Sequence, residues 1–533
     1  MRLGVVPPPE VSTTVVEAVV DRETLAAVLV PRDGVIAEDL VEGGLAGGGP
    51  SGQYRYALAD GPLAAYRRTV SVTAAPAGGF ALRQEVQLRV GLWVWSWLFA
   101  LPLRRALGRL DPPSAHPWWA PPQRVDRTGA TNLAALCTLS VVIGYLDTLV
   151  PQTMTYVGAE YHVGTTGQGV ALGVVQVSAL VAIAALMVAD RRGRRPLALG
   201  CVVGALVFAG VGALAPSLNL LVASQVVADG LGGAGYLLVI VVAAEEMPAG
   251  GRAWAAGVIS LCFGVGSGIA LLFLPLAEVG PGGWRWLYAV ALLGLPVVAA
   301  CARHLGESRR FREPAQVQHD RMSTRRLRGL SAMHRRRLLL FGTTAVLFGL
   351  FFTPASEFQN QYLRTQRHFS AFHISVLSQI AGTVGGVAVI VGGRLADTWG
   401  RRPVAAMGVA VGTAAGVFSY LSGGWALWTW VTLGSVMSYG VAPALSVYGP
   451  ELFPSGVRST AAGVLGALGA AGGVVGLLAA AGLSDAIGTI GPALGVLAVG
   501  PALMVALVVV AYPETARRPL EALNPSSEER AAQ

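Results

Sequence analysis

"ADRRGRRP" (189–196) and "ADTWGRRP" (396–403) are one segment written twice, 207 residues apart. In each copy an apolar stretch ends in Ala-Asp, a glycine permits a tight turn, arginines follow, and a proline opens the next apolar stretch. Two further pairs keep the same order and register. Glu245/Pro248/Arg252 and Glu451/Pro454/Arg458 share a Glu-x-x-Pro-x-x-x-Arg pattern at a separation of 206, and "GESRR" (306–310) answers "PETARR" (513–518), with Glu307 and Glu514 again 207 apart. Three motifs in register mark a tandem duplication.

Composition says what was duplicated. The 533 residues are 53% hydrophobic and 13% charged, with mean hydropathy +0.57; soluble domains carry about 25% charged residues, and half that share cannot cover a water-facing globule. Apolar runs near the ~20 residues that cross a bilayer recur at approximately 131–156, 166–188, 196–215, 217–243, 253–277 and 283–303, and again at 337–355, 371–393, 403–422, 425–449, 458–483 and 487–511. The expected fold is an all-α membrane protein of twelve transmembrane helices in two six-helix bundles. Six is even, so the copies share orientation about an axis along the membrane normal.

All 39 basic residues are arginine, and most of those in the membrane part cluster after the second and eighth spans, between the sixth and seventh, and after the twelfth, with only Arg285, Arg364 and Arg367 on the opposite side. These loops share one side of a twelve-span chain, and excess positive charge marks the cytoplasmic side. The expected location is therefore the cell membrane, multi-pass, with both termini cytoplasmic. The charge of +9 is read as topology, not as a nucleic-acid footprint.

The first 110 residues differ. "QYRYAL", "YRRTVSVTAA" and "FALRQEVQLRV" alternate polar and apolar residues as strands do, and "GLWVWSWLFALPLRRALGRL" (91–110) is a short, Trp-rich apolar run with a basic end. It reads as a membrane-surface helix or as the last helix of a small soluble domain; strands followed by a long helix resemble the tail of a START-like lipid-binding fold. The chain thus divides into a small α+β cytoplasmic extension (1–110), a Pro/Trp linker (111–130), a first bundle (131–312), a basic central loop (313–336), a second bundle (337–523) and a tail (524–533).

Several classes are disfavoured. Cys137, Cys201, Cys262 and Cys301 lie in apolar runs without metal spacing, so no metal or cofactor is expected. The N-terminus carries no signal-peptide pattern. No GxxxxGK[ST] loop is present, and without lysine none can be completed, which disfavours an enzyme and ATP-driven transport.

With these motifs in view the chain resembles the major facilitator superfamily. "GGRLADTWGRRP" (392–403) looks like its G-x-L-x-D-x-x-G-R-R loop, while "ELFPSGVRST" (451–460), "GESRRF" (306–311) and "PETARRPLE" (513–521) are similar to the sugar-porter and metabolite:proton symporter branch. The resemblance covers about 130–523 and implies alternating access around a central cavity. It further implies a cytoplasmic gating network of Asp190, Arg191, Arg194, Glu245, Arg252, Asp397, Arg401, Glu451 and Arg458. Leu186 replaces the leading glycine in the first copy, and Val226 stands where many members carry an intramembrane arginine. The paired hexose glutamines of the seventh span are missing, replaced by "PASEFQNQYL" (354–363).

An ionisable residue within a span marks a functional site by default. Asp147, in "GYLDTLVPQTM" (144–154), and Asp229, one turn after Gln225, are the first candidates for proton coupling and substrate contact; Glu357, Gln152, Gln176 and Gln379 follow. The reading is a monomeric secondary transporter of a small organic solute, a sugar or an organic or aromatic acid, coupled to protons. The competing readings are a multidrug/proton antiporter and a non-transporting membrane sensor.

Overall fold

The computed structural model describes residues 12–45, 52–75, 79–110, 117, 119–121, 123–192, 194–248, 251–306, 332–453 and 458–515. Eleven segments among them are long and apolar enough to cross a membrane. The first is Arg127–Glu160, and the others of the first half are Thr165–Leu186, Arg194–Ala213, Leu218–Ala243, Trp254–Glu278 and Arg285–His304. The second half supplies Ala332–Thr365, Ala371–Ala396, Arg401–Leu421, Gly463–Ile487 and Ile490–Ala511. The tenth position of the expected series holds a 29-residue helix, Gly424–Leu452.

Several spans are interrupted where the sequence reads one apolar run. The sixth breaks between Arg285–Ala291 and Gly294–His304. Pro296 has no N–H to return to the Leu292 carbonyl, which instead accepts from Leu295 N–H at 3.0 Å. Pro501 stands at the corresponding break between Ile490–Leu497 and Val499–Ala511. The seventh span runs beyond the expected residue 355: Ala332–Glu357 continues into Gln359–Thr365, so "SEFQNQYL" is helix and not a polar loop.

Glycine sets the closest helix crossings. A Cβ on Gly144 would overlap the Phe263 carbonyl, and one on Gly266 the Val141 carbonyl, so spans one and five meet backbone to backbone. Gly349 against Gly469, and Gly472 against Val346, repeat this between spans seven and eleven. Lipid offers no hydrophobic drive for helix association, so such contacts supply dispersion and close dipole packing.

Ahead of the spans, five antiparallel strands form one sheet in the order β1-β5-β4-β3-β2: β1 Ser12–Val20, β2 Ala37–Leu45, β3 Gly52–Asp60, β4 Leu63–Ala74 and β5 Phe80–Val90. Helix Arg22–Leu29 follows β1, its N-terminus capped by Asp21, which accepts from Thr24 N–H at 2.8 Å. Helix Ser96–Gly108 follows β5 and packs on β1 and β5.

The space beneath these helices is filled by a charged cluster. Arg68 pairs with Glu38 at 2.5 Å, both side chains almost fully buried, and Tyr66 Oη donates to the same carboxylate at 2.5 Å. Arg32 donates to the carbonyls of Leu107 and Arg109 at 2.6 and 2.9 Å, fastening the helix end to the sheet. Burial pushes the Tyr66 hydroxyl well above its ordinary range. Two tryptophans dock this unit on the first bundle: Trp95 Nε1 donates to Ala134 O at 3.1 Å and Thr138 Oγ1 at 3.0 Å, and Trp93 stacks on His304 at 4.6 Å. Val94, Trp97, Leu98 and Leu101 remain exposed along one stripe, continued by exposed Arg104 and Arg105.

Gly266→Val forces a side chain into the Val141 carbonyl and is expected to cost about 1–3 kcal/mol; Gly257→Ala, with nothing within 4 Å of the new Cβ, is expected to be neutral. Thermal unfolding of the two purified variants in one detergent checks the contrast.

Candidate functional site

Asp147, Gln176, Asp229 and Glu357 meet at one cavity of about 330 Å³. They come from spans one, two, four and seven, so three elements of the first half and one of the second build it. Its remaining polar lining is Ser178 and Ser356; Gly230, Gly233, Ala179 and Ala182 leave the space open, and Val150, Pro151, Leu172 and Val175 close it with apolar surface. Asp147 projects into the cavity and is accessible there despite its depth in the bundle. Asp229 is close enough to interact electrostatically with both Asp147 and Glu357. The Glu357 Oε2 atom is buried without a hydrogen-bond partner among the described residues. The lining contains no arginine.

Local structure explains the convergence. Span two is interrupted between Thr165–Val175 and Ser178–Arg192. Val177 N–H reaches three residues back to Val174 O at 3.0 Å, and the break places Gln176 and Ser178 at the cavity. Pro151 and Pro354 lie inside their helices near Asp147 and Glu357; each lacks an N–H, so each frees a carbonyl one turn earlier.

One end of the bundle pair, opposite the arginine-rich loops, is closed by contacts between the halves. Asn360 Nδ2 donates to Gln152 Oε1 at 2.9 Å, and Gln361 Nε2 to Thr165 Oγ1 at 3.0 Å. Thr166 bonds Asp485. Arg364 pairs with Glu278 at 2.8 Å and lies over the Tyr156 ring at 3.8 Å from its centroid, while Glu278 also accepts from Ala371 N–H at 2.9 Å. Nearer the cavity, Gln379 Nε2 donates to Gly268 O at 3.0 Å. Gln152 and Gln379, expected beside the solute, are therefore outside the cavity lining and join the two halves instead.

At the arginine-rich end the described contacts stay within each half. Arg194 pairs with Glu245 across spans three and four. Buried Asn132 donates to Glu246 at 3.0 Å and accepts from Gly306 N–H at 2.9 Å. In the second half the Glu514 carboxylate accepts from the N–H groups of Arg401 and Arg402 at 3.0 and 3.1 Å, and Arg401 Nη1 donates to Thr515 at 3.0 Å. This carboxylate caps the N-terminus of the ninth span, where a negative charge meets both free N–H groups and the positive dipole end. Gly400 precedes it at φ +110, and a Cβ there would press on Glu514. Arg252 opens the fifth span and is exposed. The side chains of Asp190, Arg191, Asp397, Glu451 and Arg458 lie outside the described residues, as does Glu307.

Sequence reasoning passed over Glu514, Asn132, Glu278, Ser178 and Ser356. Glu514 had a signal, its place in the third repeated motif; Asn132 and Glu278 meet partners far away in the chain, and Ser178 and Ser356 reach the cavity only through the folding of their spans.

Residues 136–477 match the family model described as Major Facilitator Superfamily. Among solved structures, the chain is similar to a bacterial homolog of the human lysosomal transporter Spinster, in an inward-facing, unoccupied conformation: TM-score 0.56, 20% identity, 72% of this chain and 94% of that one. It is similar also to a point mutant of the nucleoside transporter NupG, with TM-score 0.56 and 15% identity over 71% of this chain and all of that one. A D-xylose-proton symporter gives TM-score 0.60 and 14% identity over 72% and 97%. No curated protein matches in sequence.

Glu514→Ala removes the acceptor for two helix-terminal N–H groups and is expected to destabilise by about 0.5–2 kcal/mol, with Glu514→Gln intermediate because it loses the charge but keeps one acceptor. A thermal-unfolding series of the three proteins checks the order.

Proposed function

The chain belongs to the major facilitator superfamily and is a transporter, not an enzyme; from that premise we propose that it carries a small organic solute across the cell membrane by alternating access, driven by protons. The observation that carries this reading is the cavity itself. Three carboxylates from both halves line a closed-ended space at the seam about which the halves would rock. Carboxylates are costly inside a membrane and are retained where they exchange a proton or hold a ligand.

Orientation follows from the arginines, which the positive-inside rule assigns to the cytoplasm together with both chain ends. The contacts Gln152–Asn360, Thr165–Gln361 and Glu278–Arg364 then seal the extracellular side, and the conformation is inward-facing. The apolar stripe of Val94, Trp97, Leu98 and Leu101, with Arg104 and Arg105 beyond it, suits the cytoplasmic leaflet surface, with aromatic and aliphatic side chains among acyl chains and the guanidinium groups at phosphate level.

Arg194 with Glu245, and Glu514 over Arg401 and Arg402, hold the helix ends that would meet when the cytoplasmic side closes. We assign Asp190, Arg191, Arg252, Asp397, Glu451 and Arg458 to the same gate on their repeated positions. Proton coupling is assigned first to Asp147, which is accessible in the cavity, with Asp229 and Glu357 close enough to trade charge with it. The solute classes open from sequence were sugars, organic or aromatic acids, and drugs. Sugars draw support from the xylose symporter's fold likeness, and acids find no arginine in the lining.

Asp147→Asn is expected to abolish proton-driven accumulation in proteoliposomes while sparing counterflow exchange. Uphill transport at the native rate excludes Asp147 as the coupling group. Arg364→Ala and Glu278→Ala are each expected to make Gln176→Cys reactive to an impermeant maleimide added from outside, with little further gain in the double variant; a residue that stays protected in all three contradicts the assigned extracellular seal.

A further inference from the structure

Every charged group in the cavity lining is acidic. Asp147 and Asp229 come from the first half and Glu357 from the second, within electrostatic reach of one another. The remaining lining offers only Gln176, Ser178 and Ser356 as polar partners. Glu357 Oε2 is buried with no hydrogen-bond partner among the described residues. The arginines near the closed end are committed elsewhere: Arg364 to Glu278, Arg285 to Glu160 and Arg367 to the Tyr362 hydroxyl.

A cleft of one sign with low-dielectric walls focuses its field and concentrates ions of the opposite sign. An anionic solute entering this cavity meets three acidic groups and no fixed cation to pair with. A neutral polyol can donate to the carboxylates but brings no charge to balance them. A cation supplies what the lining lacks, and its charge lies between groups from both halves. The apolar part of the lining, Val150, Pro151, Leu172 and Val175, suits a cation with an organic body. The volume of about 330 Å³ sits at the small end of ligand pockets, which span roughly 300–1,000 Å³.

We propose that the transported solute is a small organic cation, a protonated amine or quaternary ammonium, held at the seam between Asp147, Asp229 and Glu357. This rests on the transporter reading of the same cavity and specifies its cargo. The carboxylates of the two halves clasp one positive charge, so the occupied site ties the bundles together from both sides. Small walls at Gly230, Gly233, Ala179 and Ala182 admit the alkyl or ring body of the cation.

The test uses a matched set with one scaffold: benzyltrimethylammonium and benzylamine as cations, benzyl alcohol as the neutral member, and benzoate as the anion. Thermal stabilisation of the purified full-length protein is measured for each at one pH, followed by uptake into proteoliposomes. The expected result is stabilisation by both cations at concentrations at least tenfold below those needed for the alcohol or benzoate. Glu357→Gln and Asp229→Asn are each expected to reduce cation affinity about tenfold while leaving the unliganded melting temperature near that of the native protein. Where a variant does not fold, competition between the four compounds on the native protein decides the same question. Equal or stronger binding of benzyl alcohol or benzoate, or no binding of any member, overturns the cation assignment. The transporter reading fails separately, if a panel of sugars, carboxylates and amines yields no flux in either direction. Flux of a sugar or carboxylate with no amine flux leaves that reading standing and sinks this one.

Discussion

A carboxylate left in hydrocarbon costs several kcal/mol, and the architecture of the membrane part follows from where Asp147, Asp229 and Glu357 can be put. None can face lipid. All three turn to the seam between the halves, where small residues and helix breaks leave room for a polar cavity. Near its closed end the seam is fastened by side-chain hydrogen bonds and by apolar packing, one buried cluster running from Leu172 and Val175 of the first half to Leu477 and Ala481 of the second. The contacts Gln152–Asn360 and Thr165–Gln361 are of the kind that form and break at modest cost, because each net hydrogen bond is worth roughly 0.5–1.5 kcal/mol.

Within each half the helices also meet backbone to backbone. Spans one and five, and spans seven and eleven, are locked by glycine-mediated backbone contacts that tolerate no added carbon. Helix ends at the arginine-rich side are fixed by carboxylates: Glu514 caps the ninth span, and Arg194 with Glu245 ties the third span to the fourth. Two rigid bodies with a polar seam are the mechanical requirement for rocking about a central site. The extension adds a third rigid unit, pinned to the first half through Trp93 and Trp95; it therefore moves with that half.

The duplication, the spans and the bundle architecture were legible because charge, glycine and proline must recur wherever a helix meets the membrane surface. The cavity carboxylates were legible for the same reason in reverse, since an acidic residue within an apolar run has few places to go. The places of Gln152 and Gln379 were not legible, because a glutamine serves equally well as solute contact or interhelical link, and only the packing decides which. The seventh span was expected to end at residue 355, yet Asn360 and Gln361 are buried in helix beyond it. Their amide N–H groups donate to Gln152 and Thr165 some two hundred residues earlier, and no local pattern announces a partner at that distance. The ion cluster of Glu38 and Arg68 was hidden similarly: strand alternation marks the faces but does not say which charged residues turn inward.

Paired spin labels test the central claim, that the two halves rock as rigid bodies about the carboxylate cavity. One pair, Gly164→Cys with Thr489→Cys, spans the closed end; the other, Arg303→Cys with Trp399→Cys, spans the arginine-rich end. In proteoliposomes the account predicts two distance populations at each end, shifting in opposite senses when Arg364→Ala breaks the seal. Distances that stay single and unchanged at both ends, in the native background and in the Arg364 variant alike, would contradict it.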